Sequence, residues 1–267
     1  MSHLTDPEFL RSNQYRDSRN LSARAGLHQR FSTNKKGWHR WVFENLSFPT
    51  HPRVLEIGSG PAYLWKENIH DLPSDWQVFL GDISQGMLEE ARSSLSGLSS
   101  FSYITLDTIR LPFPTCFFDA VISNHVLYHV PAVREALGEI QRVIKPGGCL
   151  YAATNGKSHL KEIRDWKEKF MPAVDPVEWG TPIARFSLEN GRGQLHQFFH
   201  PIELMTYPDH LEINEVEPVL AYIQSYLHYQ HNQQMLDQLR RYLEGLIHQK
   251  GAIKVSKESG MFLAFKR

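Results

Sequence analysis

The chain has 267 residues, of which 41% are hydrophobic and 12% aromatic, a composition that suits a packed globular protein and excludes an intrinsically disordered one. Its 29 Lys and Arg residues balance 29 Asp and Glu residues, so no overall charge favours binding to nucleic acid or to an anionic membrane. The two cysteines, Cys116 and Cys149, are too few for a disulfide framework, and the sequence contains neither the apolar core of a signal peptide nor a run of membrane-spanning length. We therefore expect a reduced, cytoplasmic protein that does not enter membranes.

The first fifty residues favour helices. In the segment RFSTNKKGWHRWVFENLSF, the apolar residues Trp38, Trp41, Val42 and Leu46 recur at the spacing of one helix face. We expect residues 1–50 to form a helical lid.

From Arg53 the pattern changes to short apolar strands that alternate with helices. Strands are predicted in RVLEI, WQVFLGD, FSYITL, FFDAVISN and CLYAATN, and helices in SQGMLEEARSSL and VPAVREALGEIQRVI. Such alternation predicts parallel pairing through right-handed crossovers. Residues 51–155 are therefore expected to form an α/β core built on an open, doubly wound sheet.

After Asn155 the alternation weakens, and we expect a largely helical cap over residues 156–250 that also supplies the sixth strand of the sheet. The last segment, 251–267, ends in the apolar strand MFLAFKR and should complete the sheet. The cap is rich in aromatic residues, which suggests a pocket for an apolar or aromatic small molecule; these residues are Trp166, Trp179, Phe186, Phe198 and Phe199. Three arginines of the cap could hold a carboxylate, or could be ordinary solvated residues: Arg164, Arg185 and Arg192.

The turn after the first strand reads VLEIGSGPAYLW, with Gly58 and Gly60 one residue apart. Glycines here let the backbone bend tightly and let a ligand approach without a Cβ in the way. The dinucleotide-binding pattern G-x-G-x-x-G needs a third small residue, but that position is Tyr63. Glu56, two residues before Gly58, suits a cationic ligand better than a phosphate.

This pattern resembles motif I of the class I S-adenosylmethionine-dependent methyltransferases, acid-x-G-x-G-x-G, with Ala62 in place of the last glycine. The remaining landmarks, LGDISQGML, ITLDTIRLPFP, FFDAVISNHVLYHV and VIKPGG, follow in the family's order and spacing. The resemblance is to the small-molecule, domain-11-like type. It implies a seven-stranded Rossmann-like sheet of order 3-2-1-4-5-7-6, S-adenosyl-L-methionine as cofactor and S-adenosyl-L-homocysteine as product.

By this resemblance, the methionine part of the cofactor lies over Gly58 and Gly60 and its ammonium lies in the field of Glu56. Asp82 would accept hydrogen bonds from both ribose hydroxyls. The adenine-side residues implied are Ile83, Met87, Asp107 and Thr108, and Asn124 lies nearby at the end of strand four. We also expect Tyr15 and Phe31 of the N-terminal segment to contact the sulfonium through cation–π attraction, with core packing as the alternative.

Methyl transfer from a sulfonium needs no metal, and we expect none, but an acceptor hydroxyl or acidic carbon needs a base. His129 in NHVLYHV is our preferred base, and His125 is the second candidate. The alternatives are a histidine that packs in the wall, or a zinc site made by the H-x-x-x-H spacing, for which no third ligand is evident.

The acceptor is expected to be a small metabolite that reacts through O, N or C. A tRNA or other nucleic-acid methyltransferase is the main alternative, and the balanced charge and the absence of an N-P-P-Y motif argue against it. Two further alternatives are a non-catalytic protein that binds the cofactor and an NAD-dependent reductase. The sequence does not predict the oligomeric state.

Overall fold

The computed structural model describes residues 19–170, 183–225 and 233–267. Nine strands run through this part of the chain: β1 (Arg53–Ile57), β2 (Gln77–Asp82), β3 (Phe101–Thr105), β4 (Phe118–Asn124), β5 (Ile144–Asn155), β6 (Ile202–Tyr207), β7 (His210–Ile213), β8 (Ile253–Ser256) and β9 (Ser259–Phe265). The α-helices are α1 (Arg19–Phe31), α2 (Trp38–Glu44), α3 (Tyr63–Lys66), α4 (Gln85–Ser94), α5 (Val133–Val143), α6 (Lys161–Phe170), α7 (Gly191–Leu195), α8 (Glu217–Gln224) and α9 (Gln233–Lys250).

Seven strands form one sheet in the order β3-β2-β1-β4-β5-β9-β6. The first five strands pair in parallel, whereas β9 pairs antiparallel with both β5 and β6. The order reverses beside β1, where the chain passes outward to β2 and β3 and then returns to β4. The predicted α/β class, the doubly wound sheet and the strand order are all confirmed.

The helices that flank this sheet follow from their sequence patterns. In α5, Val133, Ala136, Leu137, Ile140 and Val143 are buried and recur at helical spacing, so one face packs on the sheet. Helix α4 begins after Ser84, whose side chain accepts a hydrogen bond from the backbone N–H of Met87 at 3.3 Å. Ser84 is therefore the N-cap of α4.

The apolar core has three parts. Two clusters cover the two faces of the sheet, and α2 packs on one of them through Trp38 and Trp41. The third cluster lies in the cap, where residues of α6, α8, α9, β7 and β8 pack together with Leu27 and Phe31 of α1. The N-terminal segment is thus divided: α1 is part of the cap core, and α2 belongs to the sheet core.

The C-terminal segment is also divided. Strand β8 pairs with β7 in a separate two-stranded antiparallel sheet of the cap, and only β9 joins the main sheet. In the parts of the chain that are described, no helix combines the length and apolarity needed to cross a bilayer.

Candidate active site

A cavity of about 690 Å³ opens at the carboxyl edge of the parallel strands, next to the point where the strand order reverses. One side is formed by the ends of β1, β2 and β3. The other side is formed by the segment after β4, the end of β5, the start of β9, and residues of α1, α6 and α8. The volume lies in the upper part of the range for sites that enclose drug-sized ligands, roughly 300–1,000 Å³.

The glycine turn after β1 forms part of the wall and requires its two glycines. Gly58 has φ of 61°, and a Cβ at this position would lie 2.4 Å from Cγ2 of Val126. Gly60 has φ of 54° and donates its N–H to Oδ2 of Asp82 at 2.9 Å. Ala62 also adopts a left-handed conformation, with φ of 62°. The turn therefore brings bare backbone to the cavity and links the end of β1 to the end of β2.

Asp82, the last residue of β2, is 7% exposed and lines the cavity. Its Oδ1 accepts the N–H of Ser84 at 2.8 Å, and its Oδ2 accepts that of Gly60. Burial raises the pKa of Asp82, although these backbone donors act in the opposite direction. A carboxylate has about four acceptor positions, so two remain for a ligand.

Glu56 lies on the neighbouring strand β1 and is only 2% exposed. Its Oε2 accepts the indole N–H of Trp65 at 2.5 Å. Burial raises the pKa of Glu56 to about 8; the Trp65 hydrogen bond lowers it and the charge of Asp82 raises it further. A cationic ligand group would reverse this effect by favouring the ionised carboxylate.

The residues predicted to surround the adenine line the same side of the cavity. They are Ile83, Met87, Asp107 and Thr108. Met87 and Thr108 are buried, whereas Asp107 is exposed and its Oδ1 accepts the N–H of Ile109 at 3.1 Å. That hydrogen bond belongs to a local turn, and Oδ2 of Asp107 accepts no hydrogen bond among the described residues, so it is available to a ligand.

The segment after β4 carries Asn124, His125 and His129 to the cavity. Asn124 accepts the indole N–H of Trp38 at 2.9 Å, and the His125 ring lies on Trp38 with a centroid distance of 4.9 Å. Burial lowers the pKa of His125 to about 3, and nearby His39, Lys257 and His129 act in the same direction. His125 is thus neutral at physiological pH and a weak proton acceptor, while His129 lines the wall one 3₁₀ turn later.

Three polar residues that sequence reasoning did not select meet on the same side. His28 of α1 and His159 lie with their ring centroids 5.8 Å apart, and Lys257 also lines the cavity. Burial, then the charges of Lys257 and His125, lower the pKa of His28 to about 3, against the effect of Asp209. Burial, then the charges of His28, His125, Lys257 and Arg164, lower the pKa of His159 well below its usual value. These residues are far apart in sequence, so no local spacing could have indicated the cluster.

The structure places the described aromatic residues that were predicted at the site partly in the apolar core and not at the cavity. Tyr15 lies outside the described residues. The structure does not bring Phe31 to the cavity: its ring is 6% exposed and packs in the cap core, because its helix face points towards that core. Phe186 and Phe199, expected at the pocket, are instead fully or nearly fully buried in the sheet core. Of the cap aromatics that are described, Tyr222 does line the cavity.

The charged residues of the cavity wall are separated by sign. The carboxylates are Glu56, Glu67, Asp82 and Asp107, all on the side of β1 to β3. The basic residues that line the cavity are Arg24, Lys35, Arg164 and Lys257 together with five histidines, and they come from the N-terminal segment, the segment after β4, α6 with the loop before it, and the turn between β8 and β9. We call the first the cofactor side and the second the acceptor side. Among residues 19–170, 183–225 and 233–267, no three His, Cys, Asp or Glu side chains are grouped as metal ligands.

A family model for a methyltransferase domain matches residues 55–152, which include the glycine turn, Asp82 and the segment after β4. The chain carries a class I S-adenosylmethionine-dependent methyltransferase domain. The matched residues include most of β1, all of β2 to β4 and most of β5, so they supply the cofactor side of the cavity and part of the acceptor side.

The methyltransferase domain also matches curated relatives. The chain is 31% identical over 146 residues to a demethylmenaquinone methyltransferase of Symbiobacterium thermophilum, covering 52% of this chain and 58% of that protein. It is 29% identical over 149 residues to a malonyl-[acyl-carrier protein] O-methyltransferase of Legionella pneumophila, covering 55% and 52%. The chain thus spans about half the length of these relatives, and their activities are not transferred to it by this match.

Two solved structures share the fold across most of the chain. The YcgJ protein of Bacillus subtilis has a TM-score of 0.59 at 16% identity, covering 86% of this chain and 97% of that one. Phosphoethanolamine N-methyltransferase 2 of Haemonchus contortus, in complex with S-adenosyl-L-methionine, has a TM-score of 0.60 at 18% identity, covering 100% and 60%.

The residues of the cavity fit S-adenosylmethionine, the cofactor that names the family. The glycine turn leaves no Cβ over the end of β1, and Asp82 keeps two acceptor positions for hydroxyl donors. Glu56 is buried beside them without a cationic partner among the described residues, as suits a site for a ligand ammonium.

Proposed function

We propose that this chain transfers the methyl group of S-adenosylmethionine to an O, N or C nucleophile of a small metabolite. The observation that carries the proposal is a cavity lined both by the carboxylates of the cofactor side and by the basic, imidazole-rich residues of the acceptor side. When bound, the cofactor supplies an electrophilic methyl group on a sulfonium. The names of the curated relatives support a small acceptor group, because one specifies demethylmenaquinone and the other the malonyl group of a malonyl-[acyl-carrier protein].

On the cofactor side, Asp82 would hold the ribose hydroxyls, and Glu56 would face the ammonium group. Ile83 and Met87 would enclose the adenine with Thr108, and Asp107 would accept from its amino group. Each of these residues lines the cavity. The two backbone N–H donors fix the Asp82 carboxylate before any ligand arrives, so little ordering is needed on binding.

On the acceptor side, the residues must orient the nucleophile, exclude water and, for a hydroxyl or acidic carbon, accept a proton. We assign the proton acceptor to His129. His125 lies closer to Trp38 and Asn124, but its pKa of about 3 leaves it a weak base and suits it to hydrogen bonding as a neutral imidazole.

The proposal is tested by supplying radiolabelled S-adenosylmethionine and the purified protein to two fractions of a bacterial extract. One fraction contains small metabolites and the other contains RNA and DNA. We expect label in the small-molecule fraction, dependent on active protein and lost when Asp82 is replaced by alanine. Label confined to nucleic acid would support the alternative class of enzyme, and cofactor binding without any transfer would support a non-catalytic protein.

A cytoplasmic location and the identity of the acceptor atom stay predictions. Both cysteines are free: Cys149 is buried in β5, and Cys116 is exposed. Fractionation of the native host would test the location.

A further inference from the structure

Of the three cap arginines that could bind a carboxylate, the structure brings one to the cavity. Arg164 of α6 lines the acceptor side, whereas neither Arg185 nor Arg192 does. Arg192 instead donates to the carbonyl oxygen of Ile202 at 2.7 Å.

The guanidinium of Arg164 is held in place by the loop that precedes α6. Its two terminal nitrogens donate to the backbone carbonyl oxygens of His159 and Lys157. A guanidinium has five N–H donors, so three remain after these bonds. Because both observed acceptors are neutral carbonyls, they orient the group without cancelling its charge.

The charge of Arg164 has no carboxylate partner within ion-pair distance in the described ranges. Lys257, the neighbouring cation on the acceptor side, differs because it forms an ion pair with Asp209, whose side chain is fully buried. The carboxylates that line the cavity are all on the opposite, cofactor side. A partly buried cation without an anion is costly unless a ligand supplies one.

Two neutral imidazoles lie on the same side of the cavity as Arg164. His28 and His159 lie side by side, and the Tyr222 ring meets His28 edge-on with a centroid distance of 6.3 Å. Nδ1 of His28 is buried and has no hydrogen-bond partner in the structure. An unsatisfied buried nitrogen at a cavity wall calls for a ligand atom or a water.

We propose that the methyl acceptor carries a carboxylate, which Arg164 binds through its free N–H groups while His28 makes a hydrogen bond to the same ligand. A carboxylate matches the planar fork of a guanidinium and balances its single charge. Lys257 is less suited to this role, because it is already paired with Asp209. This inference rests on the proposed function, since it describes the acceptor of that reaction.

The test measures binding of benzoate and of benzamide, which have the same shape but differ in charge, to the protein with and without S-adenosylhomocysteine. We expect benzoate to bind about tenfold more tightly than benzamide. Arg164→Gln should abolish this preference, Arg164→Lys should retain part of it, and the exposed control Arg134→Gln should retain all of it. Binding of S-adenosylhomocysteine should be unchanged in each variant, which also reports that the variant is folded.

Equal binding of the two probes by the unaltered protein, or no measurable binding of benzoate, would overturn the inference. The same holds if Arg164→Gln keeps the preference while it still binds S-adenosylhomocysteine. Phenyl phosphate is the third probe, and tighter binding of it than of benzoate would overturn the choice of carboxylate. Failure of the proposed function can be distinguished from failure of this inference. It would appear as absent cofactor binding or absent methyl transfer, independently of how benzoate, benzamide and phenyl phosphate bind.

Discussion

Lowering the pH from 7 to 5 should destabilise the protein through its buried histidines. His28 and His125 have pKa values of about 3 in the folded protein against an ordinary value of 6.5, and the pKa of His159 is also well below that value. Between about pH 3 and pH 6.5 the unfolded chain therefore binds more protons than the folded protein. Stability must fall as the pH falls through this window.

The size of the effect follows from proton linkage. A difference of one bound proton between the unfolded and folded states changes the free energy of unfolding by about 1.4 kcal/mol per pH unit. On going from pH 7 to pH 5, each of His28 and His125 should lower the free energy of unfolding by about 2 kcal/mol, and His159 should lower it further. Glu56 acts in the opposite direction, because its pKa of about 8 lets the folded protein bind a proton that the unfolded chain does not. Its contribution is a gain of about 2.5 kcal/mol, so the loss from His28 and His125 exceeds it by about 1.5 kcal/mol. His159 increases this net loss, and Asp82, whose pKa burial raises, reduces it.

Urea unfolding of the cofactor-free protein at pH 7, 6 and 5 measures this loss. His28→Gln should remove about 2 kcal/mol of the pH dependence, and replacement of the exposed His248 by glutamine should leave it unchanged. A stability that is flat or rises from pH 7 to pH 5 would refute the reasoning, as would a His28→Gln variant with the same pH dependence as the unaltered protein.

Three further substitutions test the site. Gly58→Ala should lower the free energy of unfolding by about 2 kcal/mol or more in urea titrations and weaken cofactor binding, because it adds left-handed backbone strain and a close contact with Val126. Gly97→Ala is the control for strain alone, because Gly97 has φ of 84° and open space around it. Equal losses of stability in the two variants would contradict the argument from the close contact. Glu56→Gln should stabilise the cofactor-free protein at pH 8 by about 4 kcal/mol, because it removes a buried acid whose folded-state pKa is raised, and it should weaken S-adenosylmethionine binding. Urea unfolding and calorimetric titrations that do not show both effects would speak against the ammonium role. His129→Gln should reduce turnover by about 100-fold with unchanged cofactor affinity, and full turnover would mean that this residue is not the base.

The cofactor side could be predicted from sequence because its residues are local to strand ends. Glu56 and Gly58 belong to β1 and its turn, and Asp82 ends β2 with Met87 in the following helix. Parallel strands bring their carboxyl ends to one edge, so a correct strand order also places these side chains together. The structure brings all of them to one cavity.

The acceptor side could not be predicted in this way. His28, His159 and Lys257 come from α1, the loop after β5 and the turn between β8 and β9, and their meeting depends on how the cap packs. Periodicity assigns a face to a residue but does not say which neighbour covers that face. For the same reason Phe31 and Phe186, expected at the cavity as aromatic contacts, are core residues instead.

Isothermal titration of S-adenosylhomocysteine into the purified chain tests the central claim most directly. The site predicts binding of one molecule per chain, and Asp82→Ala should weaken it by about 1.5–3 kcal/mol, as expected for loss of hydrogen bonds to a charged group. Absence of binding at millimolar concentration, or an affinity that Asp82→Ala leaves unchanged, would contradict the assignment of the cavity to this cofactor.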